Sequence, residues 1–382
     1  MRVAEFKEGA TRLLVPKVSL ERSEPPTTPV FFNPAAGTNR DVSVAITAVA
    51  EGATFCDALA GVGARGIRVA KEVSRKMHVA LVDFNGASLQ LARRNTLLNG
   101  VGSRCRVVRA GANEFLYSRL RRDEKFGFVD VDPFGTPAPY IQAAFNAIDD
   151  GGIVSLTATD TAVLCGVHPR VARRRYGAAT LNNAFHHETA IRILIGSCLR
   201  LAGALDIGVS PVAAHSTKHY VRVFLRVEMG ATKVDAAMSS EGYVMECPHC
   251  RHLFSDNVPV QTCEKCGKRA RRAGPLWVGK LVDEALVRKA HEVCDKRGFA
   301  EAAETLASLQ GVDAFPPYGY SLARVCSSLK VASVPPSKVV QALASKGFCS
   351  ASQPFEKSGL KTDADYEDVA AAVKEAAAKP SQ

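Results

Sequence analysis

Short apolar runs alternate with amphipathic stretches from residue 41 to residue 157, at about 25 to 30 residues per pair. The runs 53–59, 78–82, 104–109, 126–131 and 153–157 read as buried strands. The stretches 64–74, 87–99, 112–122 and 140–149 read as helices, as does 41–51 before them; Gly100 is a stop signal for 87–99. Strands that recur with a helix between them must run parallel, because the crossover returns the chain to the same end of the sheet. The expected core is therefore a doubly wound α/β sheet with helices on both faces. A further helix at 188–201 and two strands, 205–212 and 220–227, complete it. Residues 219–227 largely alternate, which predicts an edge or hairpin strand.

The pattern then changes. Residues 231–280 are polar and cysteine-rich with little helical period, and amphipathic helix returns at 281–309. Pro316-Pro317 breaks it, and helical stretches follow at 321–330, 337–345 and 370–378. The expected domains are residues 1–230 for the α/β core, 231–280 for a metal-binding insert, and 281–382 for a smaller α+β C-terminal domain. No apolar run reaches the roughly 18 to 20 residues that span a bilayer, and residues 1–17 lack a signal-peptide core. Seven of the 11 cysteines are scattered through apolar segments, as reduced core residues of a cytoplasmic protein are. Lys and Arg number 49 against 38 Asp and Glu, a net charge of +11, which suggests a polyanionic partner, nucleic acid first. Nothing in the sequence implies an obligate protein partner or a membrane.

The first strand runs into Asp57-Ala58-Leu59-Ala60-Gly61-Val62-Gly63-Ala64-Arg65-Gly66. Gly61, Gly63 and Gly66 match the glycine spacing of adenosine-cofactor loops. Asp83 closes the next strand, where a carboxylate accepts hydrogen bonds from both hydroxyls of a ribose. This pattern fits a nicotinamide and S-adenosylmethionine equally well, and a tight turn without ligand is also compatible with it.

The fourth strand ends in Asp130-Val131-Asp132-Pro133-Phe134-Gly135. A hydride-transfer site has no use for an acid, a proline and an aromatic at this point; an amine methyltransferase has. The exocyclic amine of guanine is a poor nucleophile because its lone pair is delocalised into the ring. A carboxylate such as Asp132, accepting a hydrogen bond from that amine, draws the nitrogen toward tetrahedral geometry and can take its proton. Pro133 fixes the backbone so that a carbonyl can face the amine, and Phe134 offers a face for an extruded base. Asp130, two residues earlier, is a weaker candidate; a strand-ending turn capped by Asp132 is the structural alternative.

Cys247-Pro248-His249-Cys250 and Cys263-Glu264-Lys265-Cys266 form two CxxC pairs separated by a 12-residue linker. Two such knuckles complete a closed tetrahedral zinc site, so the expected metal is structural zinc held by Cys247, Cys250, Cys263 and Cys266. The basic run at 268–272 follows directly and is placed to reach phosphates. Runs at 119–122 and 173–175 carry the same signal more weakly.

At these residues the chain resembles the tRNA (guanine-N2)-dimethyltransferase family of archaea and eukaryotes. The likeness begins at Val30-Phe31-Phe32-Asn33-Pro34 and continues through Asn39-Arg40-Asp41, Gly63-Ala64-Arg65-Gly66, Asp132-Pro133-Phe134-Gly135, Thr157-Ala158-Thr159-Asp160, Leu164-Cys165-Gly166, His219-Tyr220-Val221-Arg222 and Gly274-Pro275-Leu276-Trp277, with Gly359-Leu360-Lys361-Thr362-Asp363 near the end. The resemblance implies a Rossmann-like methyltransferase domain and dimethylation of the N2 amine of guanine 26 in tRNA. It places Arg40, Arg65 and Asp83 at S-adenosylmethionine, Asp132 as the catalytic acid, and Phe31 and Phe134 against the target guanine. Gly111 and Ala112 stand where the family reads Asp-Ala-Asn against the adenine; Gly111 replaces the acid, which leaves the Ala112 backbone for that contact. Ser352-Gln353-Pro354-Phe355 replaces an Arg-Thr-His-Phe run in the C-terminal, tRNA-binding domain. Two rival readings are a nicotinamide-dependent oxidoreductase, resting on the glycines alone, and a zinc-ribbon RNA-binding protein without catalysis.

Overall fold

The computed structural model describes residues 1–378 apart from residues 123 and 218. A hairpin of β1 (Val3–Glu8) and β2 (Thr11–Pro16) leads through α1 (Val18–Glu21) to α2 (Gly37–Val49). The core follows as β3 (Thr54–Asp57), α3 (Ala64–Glu72), β4 (His78–Asp83), α4 (Gly86–Leu98), β5 (Cys105–Arg109), α5 (Ala112–Arg122), β6 (Phe126–Val131), α6 (Ile141–Asn146) and β7 (Ile148–Ala158). Then come α7 (Thr161–Leu164), α8 (Pro169–Tyr176), α9 (His186–Gly203), β8 (Ile207–Ser216) and β9 (Val221–Met229).

Strands β3 to β9 form one seven-stranded sheet in the order β5-β4-β3-β6-β7-β9-β8, separate from the β1-β2 hairpin. β3 through β7 pair in parallel, and β9 pairs antiparallel with β7 and β8. The order reverses between β3 and β6, so the crossovers leave on opposite faces and a crevice opens at the carboxyl ends of those strands.

Within the core sheet, two expectations need correction. The stretch 140–149 is helix only to Asn146; β7 already starts at Ile148, and its pairing to β6 slips around Gly151, which has φ of +76°. The strand at 220–227 is the hairpin expected but not an edge, since β9 lies inside the sheet. The polar positions that mimic a solvent face include Arg222, which is fully buried in an ion-pair network.

Beyond the core lie α10 (Ala231–Met238) and a three-stranded sheet of β10 (Glu241–Glu246), β11 (Leu253–Asp256) and β12 (Arg271–Trp277), ordered β11-β10-β12. The helix at 231–238 has no buried residue, which is why no apolar stripe announces it. α11 (Glu284–Arg297) and α12 (Ala300–Leu309) divide the single helix expected at 281–309, because Gly298 caps α11 with φ of +70°. Both pack on α2, and the Arg68 guanidinium lies 5.1 Å from the centre of the Phe299 ring. The chain closes with β13 (Tyr320–Ser321), α13 (Leu322–Leu329), α14 (Pro336–Ala344), β14 (Ser350–Ser352), β15 (Gly359–Thr362) and α15 (Tyr366–Ala378). This last unit is docked by a buried ion cluster. Glu188 on α9 accepts from Lys361 at 2.7 Å, Arg192 at 3.0 Å and Gln353 at 2.9 Å. Among the described residues no helix is long and apolar enough to cross a membrane.

Candidate active site and metal-binding residues

A cleft of about 460 Å³ opens at the carboxyl ends of β3, β4 and β6, within the volume range of nucleotide and small-ligand sites. The glycine loop forms one wall, and each glycine has its own reason to be there. Gly61 and Gly63 take φ of +54° and +80°, the left-handed region that side chains resist. Gly66 lies against the sheet, where a Cβ would come within 2.3 Å of the Leu81 side chain. Asp83 faces this loop. Its two carboxylate oxygens accept from the backbone N–H groups of Gly61 and Asn85, each at 2.7 Å. The carboxylate is thus fixed, with acceptor capacity left for two vicinal hydroxyls.

Phe31, Arg40, Arg65, Asp83, Asp132, Pro133 and Phe134 all line this one cleft. Gly111 and Ala112 do not line it; they open α5 beyond the end of β5. The Arg40 guanidinium is already matched by Glu8 of the hairpin, at 2.6 and 2.7 Å, and donates to the Asn33 carbonyl at 3.1 Å. Phe31 and Phe134 meet edge to face, with ring centres 4.8 Å apart, and Phe134 is 65% exposed at the rim.

Behind Asp132 lies a buried network of alternating charge. Arg65 donates to Asp132, pairs with Asp130 at 2.9 Å, and donates to Asn39 Oδ1 at 2.8 Å and Ser43 Oγ at 2.6 Å. Arg222 reaches both oxygens of Asp130 at 3.0 Å and the Thr157 hydroxyl at 2.6 Å. Burial opposes ionisation of Asp132, but the Arg65 and Arg222 charges and hydrogen bonds from Thr157 and Arg65 outweigh it and lower its pKa. Asp57 has the opposite fate: burial and the Asp130 charge raise it to about 7.

Asp57, Thr157 and Arg222 were not singled out as site residues from sequence. Asp57 ends β3 where the glycine loop begins, and it accepts from the Gly66 N–H at 3.0 Å. Arg222 looks like a solvent-facing strand residue until β9 is placed beside β7. Asp130 is wholly buried as the hub of the network and is not a cleft residue.

The four cysteines of the insert converge. Cys247, Cys250, Cys263 and Cys266 have sulfurs within 4.8 Å of one another, with Cys247 and Cys266 3.5 Å apart and Cys250 and Cys263 3.7 Å apart. Each pair sits in the same tight turn: Arg251 N–H donates to Cys247 O and Gly267 N–H to Cys263 O, both at 2.9 Å. Arg251 and Gly267 have φ of +63° and +67°, which curls the backbone around each pair of thiols. This arrangement fits one four-coordinate ion. His252 stands aside, its Nε2 at 3.0 Å from Glu264. Cys165, His186 and His187 also bring ligand atoms within 4.8 Å of one another. Both histidines occupy the first turn of α9, where the helix dipole disfavours a cation. Of the basic run 119–122, the side chains at 121 and 122 lie outside the described residues.

Comparison with known proteins agrees with this geometry. A family model described as N2,N2-dimethylguanosine tRNA methyltransferase matches residues 9–374. A Methanopyrus kandleri protein named tRNA (guanine(26)-N(2))-dimethyltransferase is 35% identical, covering 99% of this chain and 98% of its own length. A Methanosarcina acetivorans protein of the same name is 34% identical, covering 95% of this chain and 96% of its own. Among solved structures, Trm1 from Pyrococcus horikoshii with S-adenosyl-L-methionine superposes with a TM-score of 0.85 at 29% identity, over 97% of this chain and 99% of that one. With the match running nearly end to end, the chain belongs to the N2,N2-dimethylguanosine tRNA methyltransferase family.

Proposed function

We propose that this protein transfers methyl groups from S-adenosylmethionine to the exocyclic N2 amine of guanine 26 in tRNA, giving N2,N2-dimethylguanine. The observation that carries the reading is Asp132, a carboxylate held ionised at the rim of a nucleotide-sized cleft between Pro133 and the aromatic pair Phe31 and Phe134. Bound S-adenosylmethionine supplies an electrophilic methyl group. The glycine loop and Asp83 fit its adenosine, Asp83 accepting from the ribose hydroxyls. Arg65 lies between the loop and Asp132, and Gly111 and Ala112 are left to the adenine side.

Phe31 and Phe134 hold the extruded guanine, and the Pro133 carbonyl and Asp132 accept from its amine. Arg65 and Thr157 occupy part of the acceptor capacity of Asp132, and its remaining lone pairs serve the amine. As the new N–C bond forms and the sulfonium–methyl bond breaks to leave a neutral thioether, the nitrogen becomes cationic and strongly acidic. A carboxylate of lowered pKa therefore suffices to take the proton when the N–H bond breaks. The four cysteines hold a structural zinc whose closed shell leaves no position for a reactant. Residues 1–230 form the methyltransferase domain, 231–280 the zinc ribbon and 281–382 the tRNA-binding domain.

Nucleoside mass spectrometry of tRNA incubated with the protein and cofactor tests the reaction. N2,N2-dimethylguanine in a tRNA carrying guanine 26, and none when that base is replaced by adenine, is the expected outcome. Product from both, or from neither, overturns the proposal.

Asp83→Ala weakens cofactor binding without touching the amine site. Loss of charge-assisted bonds to ribose costs about 1.5 to 3 kcal/mol, so the dissociation constant rises by about 10- to 150-fold. A calorimetric titration that leaves it unchanged removes Asp83 from the ribose.

A further inference from the structure

The short helix α8 is hydrogen-bonded through Tyr176 to the loop that carries Phe134 at the cleft rim, and it is densely basic. Within Pro169–Tyr176 it carries Arg170, Arg173, Arg174 and Arg175, all exposed. One basic residue in the last turn would satisfy the helix dipole; three stand there, and Arg170 lies a turn earlier. Among the described residues only Arg175 of these four is ion-paired, to Asp160 at 2.9 Å. The other three guanidinium groups have no internal work.

Hydrogen bonds tie α8 to the loop that carries Phe134. The Tyr176 hydroxyl donates to Asp160 Oδ1 at 2.7 Å. Its only proton is spent there, so at 2.7 Å from Thr136 Oγ1 it accepts from the threonine. Asp160 and Thr159 donate their backbone N–H groups to the Gly135 carbonyl at 3.2 and 2.7 Å, and Gly135 N–H donates to Thr159 Oγ1 at 2.7 Å. At this same C-terminal residue, Arg200 on α9 donates to the Tyr176 carbonyl at 2.7 Å. The arginines are thus presented on a rigid mount that is continuous with the rim of the cleft.

We propose that α8 is a phosphate-binding surface that grips the RNA backbone beside the extruded guanosine. This rests on the reading of the cleft as the guanine site. A base drawn out of its stack leaves its flanking phosphates close to the rim, and planar guanidinium groups match phosphate oxygens two at a time. The cluster at 268–272 has a different setting. Its Arg271 is paired with Glu246 at 3.0 Å, and it belongs to the cysteine-rich insert rather than to the rim.

The test is filter binding of tRNA by the full chain across a salt series, with methylation measured separately. In the variant Arg170→Ala/Arg173→Ala/Arg174→Ala the dissociation constant for tRNA rises by at least about tenfold at physiological salt. The slope of log affinity against log salt becomes shallower by about 2 to 3. The S-adenosylmethionine dissociation constant stays at the wild-type value, which reports that the fold is intact. If the triple variant binds tRNA like wild type, with the same salt slope, the surface is elsewhere and the proposal falls. It falls equally if Arg269→Glu/Arg272→Glu removes the whole of the salt dependence. Wild-type protein that binds tRNA through α8 but methylates nothing would instead overturn the reading of the cleft.

Discussion

Asp132→Ala loses turnover by about 10²- to 10⁴-fold while its affinity for S-adenosylmethionine stays within a few-fold of wild type. In the proposed reaction the carboxylate acts on the amine, and Arg65 keeps its partners Asp130, Asn39 and Ser43 in the variant, so the buried charge behind the cleft is not orphaned. Single-turnover rates and calorimetric titration in parallel make the measurement. A variant that retains substantial turnover removes Asp132 as the essential acceptor. The same network predicts a pH profile. A lowered pKa keeps the carboxylate ionised above that value and loses it only as pH falls through it. The acid limb of the wild-type rate, as far as Asp132 governs it, therefore lies below the ordinary carboxylate range. Thr157→Val removes one of the bonds that lower the pKa and moves the limb upward.

Cys247→Ser/Cys250→Ser releases about one zinc per chain and unfolds the tip of the insert, residues 247–270. Zinc bound by such knuckles is worth about 10 to 16 kcal/mol of folding free energy, far more than three short strands supply alone. The damage stops at the root of the sheet. β12 packs on α9, Gly274 and Ala179 exchange backbone hydrogen bonds at 2.8 and 2.9 Å, and Arg200 holds Glu241 at 2.5 Å. Metal analysis, limited proteolysis and cofactor titration together decide the case. New cleavage confined to 247–270 with unchanged cofactor affinity is expected. A wild-type protein without zinc means that the four thiols serve another end, and loss of cofactor affinity in the variant means that the insert supports the cleft.

Much of the fold and part of the site are legible along the chain. The α/β alternation, the glycine loop after β3, the acid that closes β4 at Asp83, the acid-proline-aromatic turn at Asp132 and the paired cysteines are all local signals. Each is carried by neighbours in sequence, because a tight turn, a strand end or a metal knuckle is built within a few residues. The extent of β7 and the division of the helix at 281–309 are less visible, since they depend on where Gly151 and Gly298 adopt positive φ.

By itself the sequence determined the strand–helix order of residues 41–157, the cleft's near-sequence residues, the four-thiol cluster and the net positive charge. Only the tertiary structure decided that β9 lies inside the sheet, that Arg222 and Asp130 stand behind Asp132, that Glu8 neutralises Arg40, and that α8 rides on the Phe134 loop. The physical reason is distance along the chain. Asp130 and Arg222 are 92 residues apart, and a charge reads as solvent-exposed until the strand that pairs it is in place. Burial then reverses its meaning, because an arginine taken out of water persists only where carboxylates and hydroxyls meet its donors.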